Sequence, residues 1–197
     1  MSDDEDNWTR WWDARAVALE AVLGPSDGMV GHAMIPFDLG AEVGGAADIL
    51  YFRGHLGGIV ATTAELIGRD DQVPSPLGNY ELMICARDDI EWGADLISRL
   101  AHYTLTAVIA PGETMDIGFA TPAGSTTAAL LFLEYARFVI DDRAAGLLLC
   151  IGITAGELNA CRGGHRAAVE ASLKAEGVFP FTDLYRASAL DARKSPA

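Results

Sequence analysis

The stretch LLLCIGITAGELNACR, residues 147–162, decides the fold of this chain. Its first half, Leu147–Ile153, is an almost unbroken apolar run, and a run this short and apolar predicts a strand covered on both faces. Thr154 to Glu157 then match the S/T-x-x-E capping box, in which each side chain accepts a hydrogen bond from the other residue's backbone N–H. The stretch therefore predicts a buried strand that turns directly into a helix, and we interpret it as scaffold rather than as a catalytic site.

Strand and helix patterns alternate along the rest of the chain. Helical spacing of apolar residues predicts three further helices, at Trp8–Leu23, Asp88–Tyr103 and His165–Glu176. Extended, alternating or apolar runs predict strands at Met29–Phe37, Ile49–Arg53, Ile59–Leu66, Asn79–Arg87, Met115–Phe119 and Leu130–Ile140. Together these elements predict an α+β fold, with a mixed, largely antiparallel β-sheet flanked by helices. We place this single domain at residues 8–190, between a disordered acidic tail at 1–7 and a C-terminal tail at 191–197.

Composition restricts the classes of partner. Half of the 197 residues are hydrophobic and 21% are charged, which is typical of one well-packed domain. The formal net charge is -14, and such a surface repels nucleic-acid phosphates and anionic lipids. We therefore expect neither nucleic acid nor membrane as a partner, and favour a basic protein or peptide. The alternative is that the charge serves solubility alone.

The ends of the chain and its cysteines suggest a compartment. The first residues, MSDDED, lack the positive charge and apolar core of a secretory signal, and no run approaches the ~20 apolar residues of a membrane span. Three cysteines without a pairing motif argue against a secreted disulfide scaffold. We expect a cytoplasmic protein.

Motifs for catalysis and cofactors are missing from the sequence. The four histidines lie far apart and form no metal-type cluster with cysteine, so we predict no metal site. The surroundings of Ser125 differ from a G-x-S-x-G elbow, and neither a Walker A motif nor G-x-G-x-x-G occurs. Gly163 to Arg166 could cradle an anion at a helix start, but a simple helix break is the favoured interpretation. We predict no cofactor and no catalytic residue.

Six landmarks, in order, resemble the suppressor of fused family. They are Gly78-Asn79-Tyr80-Glu81-Leu82, Trp92, Leu100-Ala101-x-Tyr103, Pro111-Gly112-Glu113-Thr114, Ile153-Thr154-x-x-Glu157-Leu158 and Phe181-Thr182-Asp183-Leu184-x-Arg186. At the fourth landmark the family usually has Gly-Asp instead of Gly-Glu. Each landmark is weak alone, but their order over roughly residues 78 to 188 is specific.

The resemblance implies a mixed α/β sandwich that binds other proteins and has no known catalysis. In eukaryotic members this domain and a second domain grip an extended peptide between them by strand addition. We expect 197 residues to be too few for that second domain, so the partner of this chain is not expected to be gripped in the same way. Standalone bacterial relatives look like immunity proteins that neutralise toxins. The family's partner-facing tyrosine and acidic residue correspond here to Tyr103 and Glu113. Tyr103 also ends the apolar stripe of its predicted helix, so packing is the favoured role for this residue.

Two other functions stay open at this point. A homodimer with a structural or regulatory role could form through the tryptophan-rich start of the first helix or through an exposed strand edge. An enzyme with a site assembled from scattered acids and histidines would need a deep pocket with strongly perturbed pKa values. We favour the binding module because of the landmarks and the charge of -14.

Overall fold

The computed structural model describes residues 3–191, with side chains from residue 9 onwards. Within this range seven strands form one sheet: β1 (Val30–Gly31), β2 (Ile49–Phe52), β3 (Ile59–Thr63), β4 (Asn79–Ala86), β5 (Thr114–Asp116), β6 (Thr127–Ile140) and β7 (Arg143–Thr154). The α-helices of the same range are α1 (Asp3–Leu23), α2 (Glu91–Leu100), α3 (Ala155–Ala160) and α4 (Arg166–Ala175).

The strand order of the sheet is β1-β2-β3-β4-β7-β6-β5. Neighbouring strands are antiparallel except β4 and β7, which run parallel over Asn79–Met83 and Ala145–Leu149. Helices α1, α3 and α4 pack on one face, and α2 packs on the other. This confirms the predicted α+β class, with a mixed, largely antiparallel sheet flanked by helices.

Strand β7 lies inside the sheet between β4 and β6, and its apolar run is buried, as the opening stretch predicts. Leu147, Leu149 and Ile151 pack with the core under α1, α3 and α4, whereas Leu148 and Cys150 pack with the core under α2. All five side chains are fully buried. The run is continuously apolar because alternate residues enter two different cores.

The predicted capping box starts helix α3. The N–H of Thr154 donates to Oε2 of Glu157 at 2.9 Å, and the N–H of Glu157 donates to the Thr154 hydroxyl at 3.4 Å. The strand therefore passes into the helix without an intervening loop. The helix itself is short, because residues Cys161–His165 form a π-helical turn before α4 begins.

Strand β3 ends at Thr63, earlier than predicted, and the buried carboxylate of Glu81 explains the difference. This carboxylate accepts hydrogen bonds from the Thr63 hydroxyl at 2.6 Å and from the N–H groups of Leu66 and Ile67 at 2.9 and 2.8 Å. Arg15 reaches it from α1, with Nε at 3.9 Å. The backbone after Thr63 therefore turns towards Glu81 instead of continuing the sheet.

Helix α1 begins at Asp3, upstream of the predicted start at Trp8, because the sequence pattern counted only apolar positions. Trp12 packs on the core under α1, and Trp11 packs beside Ile67 and Ile140, so both act as anchors inside the domain. The side chain of Trp8 lies outside the described part, and the domain limits at residues 8 and 190 stay predictions. Between residues 3 and 191, no helix combines the length and apolar character that crossing a bilayer requires.

Candidate functional site

Strand β5 forms an open edge of the sheet. It pairs with β6 through Thr114–Leu131, Met115–Leu130 and Asp116–Ala129, and it has no partner on its other side within the described residues. Just outside β5, the carbonyl of Glu113 accepts from Phe132 N–H at 3.0 Å, and the N–H of Ile117 donates to Ala128 at 3.0 Å. Because backbone groups alternate in direction along a strand, those of Thr114 and Asp116 point away from the sheet.

A cleft of about 580 Å³ surrounds this edge, and we call it the edge cleft. One wall comes from the segment after α2, where Tyr103 is 46% exposed and Val108 is 44% exposed. The opposite wall comes from the π-helical turn after α3, through Cys161 and Arg162. The edge cleft therefore flanks the open strand with side chains from both faces of the sheet.

The structure brings the two predicted site residues together, since Tyr103 and Glu113 both line the edge cleft. Tyr103 lies in a 3-10 turn, Ala101–Leu105, that continues α2. The sequence pattern placed Tyr103 at the end of the apolar stripe of that helix, but its ring lies largely outside the core. The exposure leaves this aromatic side chain free to contact a ligand in the cleft.

Glu113 is held by the tight turn that precedes β5. Its Oε2 accepts the N–H of Ala110 at 2.9 Å, and its own N–H donates to the Ala110 carbonyl at 3.1 Å. Within the turn, Gly112 has φ +96°, and an added Cβ would lie 1.4 Å from Nη1 of Arg166. The left-handed backbone at φ +96° is what favours glycine at position 112, and its missing side chain also leaves room for the Arg166 guanidinium.

The thiol of the edge cleft and the two buried thiols of the sheet are all weakly acidic. Burial raises the pKa of the Cys161 thiol in the edge cleft, and the nearby carboxylates of Glu157 and Glu170 raise it further. Burial also raises the pKa of Cys85 to about 12, and it raises the pKa of Cys150. All three thiols are therefore protonated at neutral pH and are poor nucleophiles. From residue 9 to residue 191, no three His, Cys, Asp or Glu side chains converge as metal ligands.

Sequence reasoning missed one wall of the edge cleft. The region of Cys161 and Arg162 was interpreted only as a helix break, since nothing in its local pattern shows that it meets β5. The contact arises because the helices after β7 fold back over β6 and β5. The predicted break does occur, since Gly164 lies in the left-handed backbone region at φ +84°.

Comparisons with known proteins identify the fold. No protein-family description and no curated protein match the sequence. A solved Sufu–Fu complex contains a chain that matches with a TM-score of 0.66 at 10% identity, covering 92% of this chain and 91% of that chain. A suppressor of fused homolog from Neisseria gonorrhoeae matches with a TM-score of 0.58 at 18% identity, covering 92% and 97%.

Drosophila Suppressor of Fused also matches, with a TM-score of 0.64 at 11% identity over 94% of this chain. The match covers 52% of the Drosophila protein, so this chain spans about half of its length. These likenesses show that the chain has a suppressor of fused-like fold, as the sequence landmarks implied.

Proposed function

We propose that this chain, whose fold is that of suppressor of fused, is a non-enzymatic protein-binding module that adds an extended segment of its partner to the open edge of β5. The observation that carries the proposal is the outward direction of the backbone groups of Thr114 and Asp116 inside the edge cleft. An incoming strand satisfies such groups with main-chain hydrogen bonds, while pockets on both sides select its side chains. The solved Sufu–Fu complex supports the protein-binding part of the proposal, because it holds a protein of this fold in a complex with Fu.

The two walls of the edge cleft give this strand addition its selectivity. Met115 packs towards the core under α2, so Thr114 and Asp116 face the opposite side of the sheet. Side chains of a bound segment alternate in the same way. One set therefore meets the apolar surface of Tyr103 beside Glu113, and the other set meets Arg162.

We propose that the partner is basic and that it is a toxin which this protein neutralises, as an immunity protein does. The net charge of -14 supports a basic partner through charge complementarity and faster association. The near-complete coverage of the Neisseria gonorrhoeae chain, 97%, supports the idea that one such domain acts alone. The sparse cysteines, which are all free thiols in the structure, support a cytoplasmic location.

Substituting Thr114 tests this binding mode. Thr114→Pro removes an outward N–H at an edge position, where proline is tolerated, and Thr114→Val keeps that N–H while removing the hydroxyl. The partner is first captured from the native host and identified, and the purified partner is then titrated onto the wild type and both variants. We expect binding by the wild type and Thr114→Val, and loss of binding by Thr114→Pro. Equal binding by all three proteins would exclude strand addition at β5, and failure to capture any protein would argue against a binding module.

The same open edge also favours a second candidate function, which is self-association. Two copies paired through β5 would form a dimer, and Thr114→Pro would convert it to a monomer. Light scattering of the wild type and Thr114→Pro measures this directly. A monomeric wild type excludes the dimer and leaves the edge free for another protein.

A further inference from the structure

A second cleft, of about 620 Å³, lies at the carboxyl end of β4, one of the two parallel strands of the sheet, against residues 176–186. After β4 the chain enters α2 on one face of the sheet, and after β7 it enters α3 on the other face. Adjacent parallel strands that lead into helices on opposite faces leave a crevice at their carboxyl ends, which is where open sheets bind ligands. The volume is in the range of small-molecule sites. We call this crevice the switch-point cleft.

The C-terminal segment forms a fixed wall of the switch-point cleft. Thr182 bridges the separating strands: its N–H donates to the carbonyl of Cys85 at 2.7 Å, and its hydroxyl accepts from the N–H of Gly152 at 2.8 Å. Further along, Arg186 donates two hydrogen bonds to the buried carboxylate of Glu157, at 2.7 and 2.6 Å. These contacts anchor the segment and leave the cleft preformed beside it.

The lining of this cleft combines aromatic rings with acidic side chains. The aromatic residues are Trp92, Phe181 and Tyr185, and the acidic residues are Asp88, Asp89, Glu176 and Asp183. Trp92 is held in place because its Nε1 donates to the carbonyl of Ala120 at 2.9 Å. Both arginines of the lining already have partners inside the protein. Arg186 pairs with Glu157, and Arg87 donates to the carbonyl of Gly177 at 2.8 Å.

The arrangement disfavours an anionic ligand. The start of α2 borders the cleft, and a helix N-terminus ordinarily attracts anions. Here Asp89 already accepts the N–H of Glu91 at 2.9 Å, and Asp88 adds a second negative charge beside it. Because Arg186 is paired with Glu157, the four lining carboxylates are opposed by the single charge of Arg87, and this excess repels phosphates and carboxylates and attracts a positive group.

We propose that the switch-point cleft binds an organic cation, namely a guanidinium or ammonium group carried on an apolar stem. The cleft contains an internal example of this recognition, since the guanidinium of Arg87 lies 4.3 Å from the ring centroid of Phe181. A ligand cation stacks in the same way on Trp92 or Tyr185, while the carboxylates compensate its charge. The cation comes from a free amine or from the basic side chain of a peptide.

Calorimetric titration with defined probes tests this inference. The cationic probes are pentylguanidinium and the capped tripeptide Gly-Arg-Gly, and the neutral isostere is pentylurea. We expect at least one cationic probe to bind saturably, with weaker binding at high salt, and pentylurea to bind at least roughly tenfold more weakly. Binding of pentylguanidinium shows that a small free cation is a sufficient ligand. Binding of the tripeptide alone shows that the cation must be the side chain of a peptide.

Variants locate the binding event in the cleft. Trp92→Leu and the double variant Asp88→Asn with Asp89→Asn are each expected to weaken cation binding roughly five- to tenfold. Asp95→Asn is the matched control, because it removes one exposed carboxylate of α2 that lies outside the cleft lining. Since Asp88 and Asp89 are exposed, their variants keep the test valid if Trp92→Leu fails to fold. Binding of neither cation, or equal binding of pentylguanidinium and pentylurea, would overturn the inference.

Discussion

The ion pair between Glu157 and Arg186 gives the sharpest prediction about stability. The Glu157 side chain is fully buried, and that of Arg186 is 8% exposed. The carboxylate also accepts the N–H groups of Thr154 at 2.9 Å and Ala189 at 2.7 Å. Glu157→Gln removes the negative charge and leaves the Arg186 guanidinium unpaired in a dry position. We expect the free energy of unfolding to fall by about 3–5 kcal/mol, because a buried charge loses its partner.

Urea denaturation of four proteins measures this prediction. They are the wild type, Glu157→Gln, Arg186→Met and the double variant. The double variant contains no unpaired buried charge. We therefore expect its loss of unfolding free energy to be about 2–3 kcal/mol smaller than the sum of the losses in the two single variants. Arg99→Met breaks the exposed pair with Asp95 and serves as the matched control, with a cost of about 0.5 kcal/mol. A cost for Glu157→Gln similar to that of the control would refute the reasoning.

The same pair predicts a dependence of stability on pH. Burial raises the pKa of Glu157, but hydrogen bonds from Arg186, Thr154 and Ala189 together with the Arg186 charge outweigh it, so the pKa lies below its ordinary 4.5. A lowered pKa in the folded state means that the stabilisation is complete above the unfolded-state pKa and is lost as pH falls through the folded-state value. Glu157→Gln should therefore lose less stability than the wild type when the pH falls below about 4.5. Equal pH profiles would contradict this assignment.

Three further outcomes follow from individual contacts. Gly112→Ala places a methyl group against Arg166 at φ +96°, so we expect about 1–3 kcal/mol lower stability by thermal unfolding, and unchanged stability would contradict the turn geometry. Native protein should resist alkylation by iodoacetamide at pH 7, because burial raises the pKa of Cys85 to about 12 and also raises the pKa values of Cys150 and Cys161. Rapid alkylation, detected by mass spectrometry, would refute this. Thr182→Val removes the acceptor of the Gly152 N–H, so urea unfolding should show a loss of about 1–3 kcal/mol, and no loss would disprove the bridging role.

Local sequence patterns were sufficient for the centre of the fold. The strand Leu147–Ile153 and the cap at Thr154 and Glu157 involve residues close in sequence, so the apolar run and the S/T-x-x-E spacing predict them. The burial of Glu81 could not be predicted in the same way. Its backbone donors at Leu66 and Ile67 lie about fifteen residues away, and only the pairing of β3 with β4 brings them together.

The candidate site was predicted in part. The sequence landmarks selected Tyr103 and Glu113, and the structure places both in the edge cleft, although their role in binding stays a proposal. The wall formed by Cys161 and Arg162 was missed because a π-helical turn has no local signature in this glycine-containing stretch. The switch-point cleft was missed for a different reason: it depends on which two strands are parallel, and periodicity does not encode strand order.

Amide hydrogen exchange of the complex with the captured partner tests strand addition most directly. We expect the N–H groups of Thr114 and Asp116, which point outward in the free protein, to become protected when the partner binds. The N–H of Met115 is already directed at Leu130 in β6, so it should change much less and serves as the internal reference. Bound partner with unchanged exchange at Thr114 and Asp116 would contradict the proposed use of this edge.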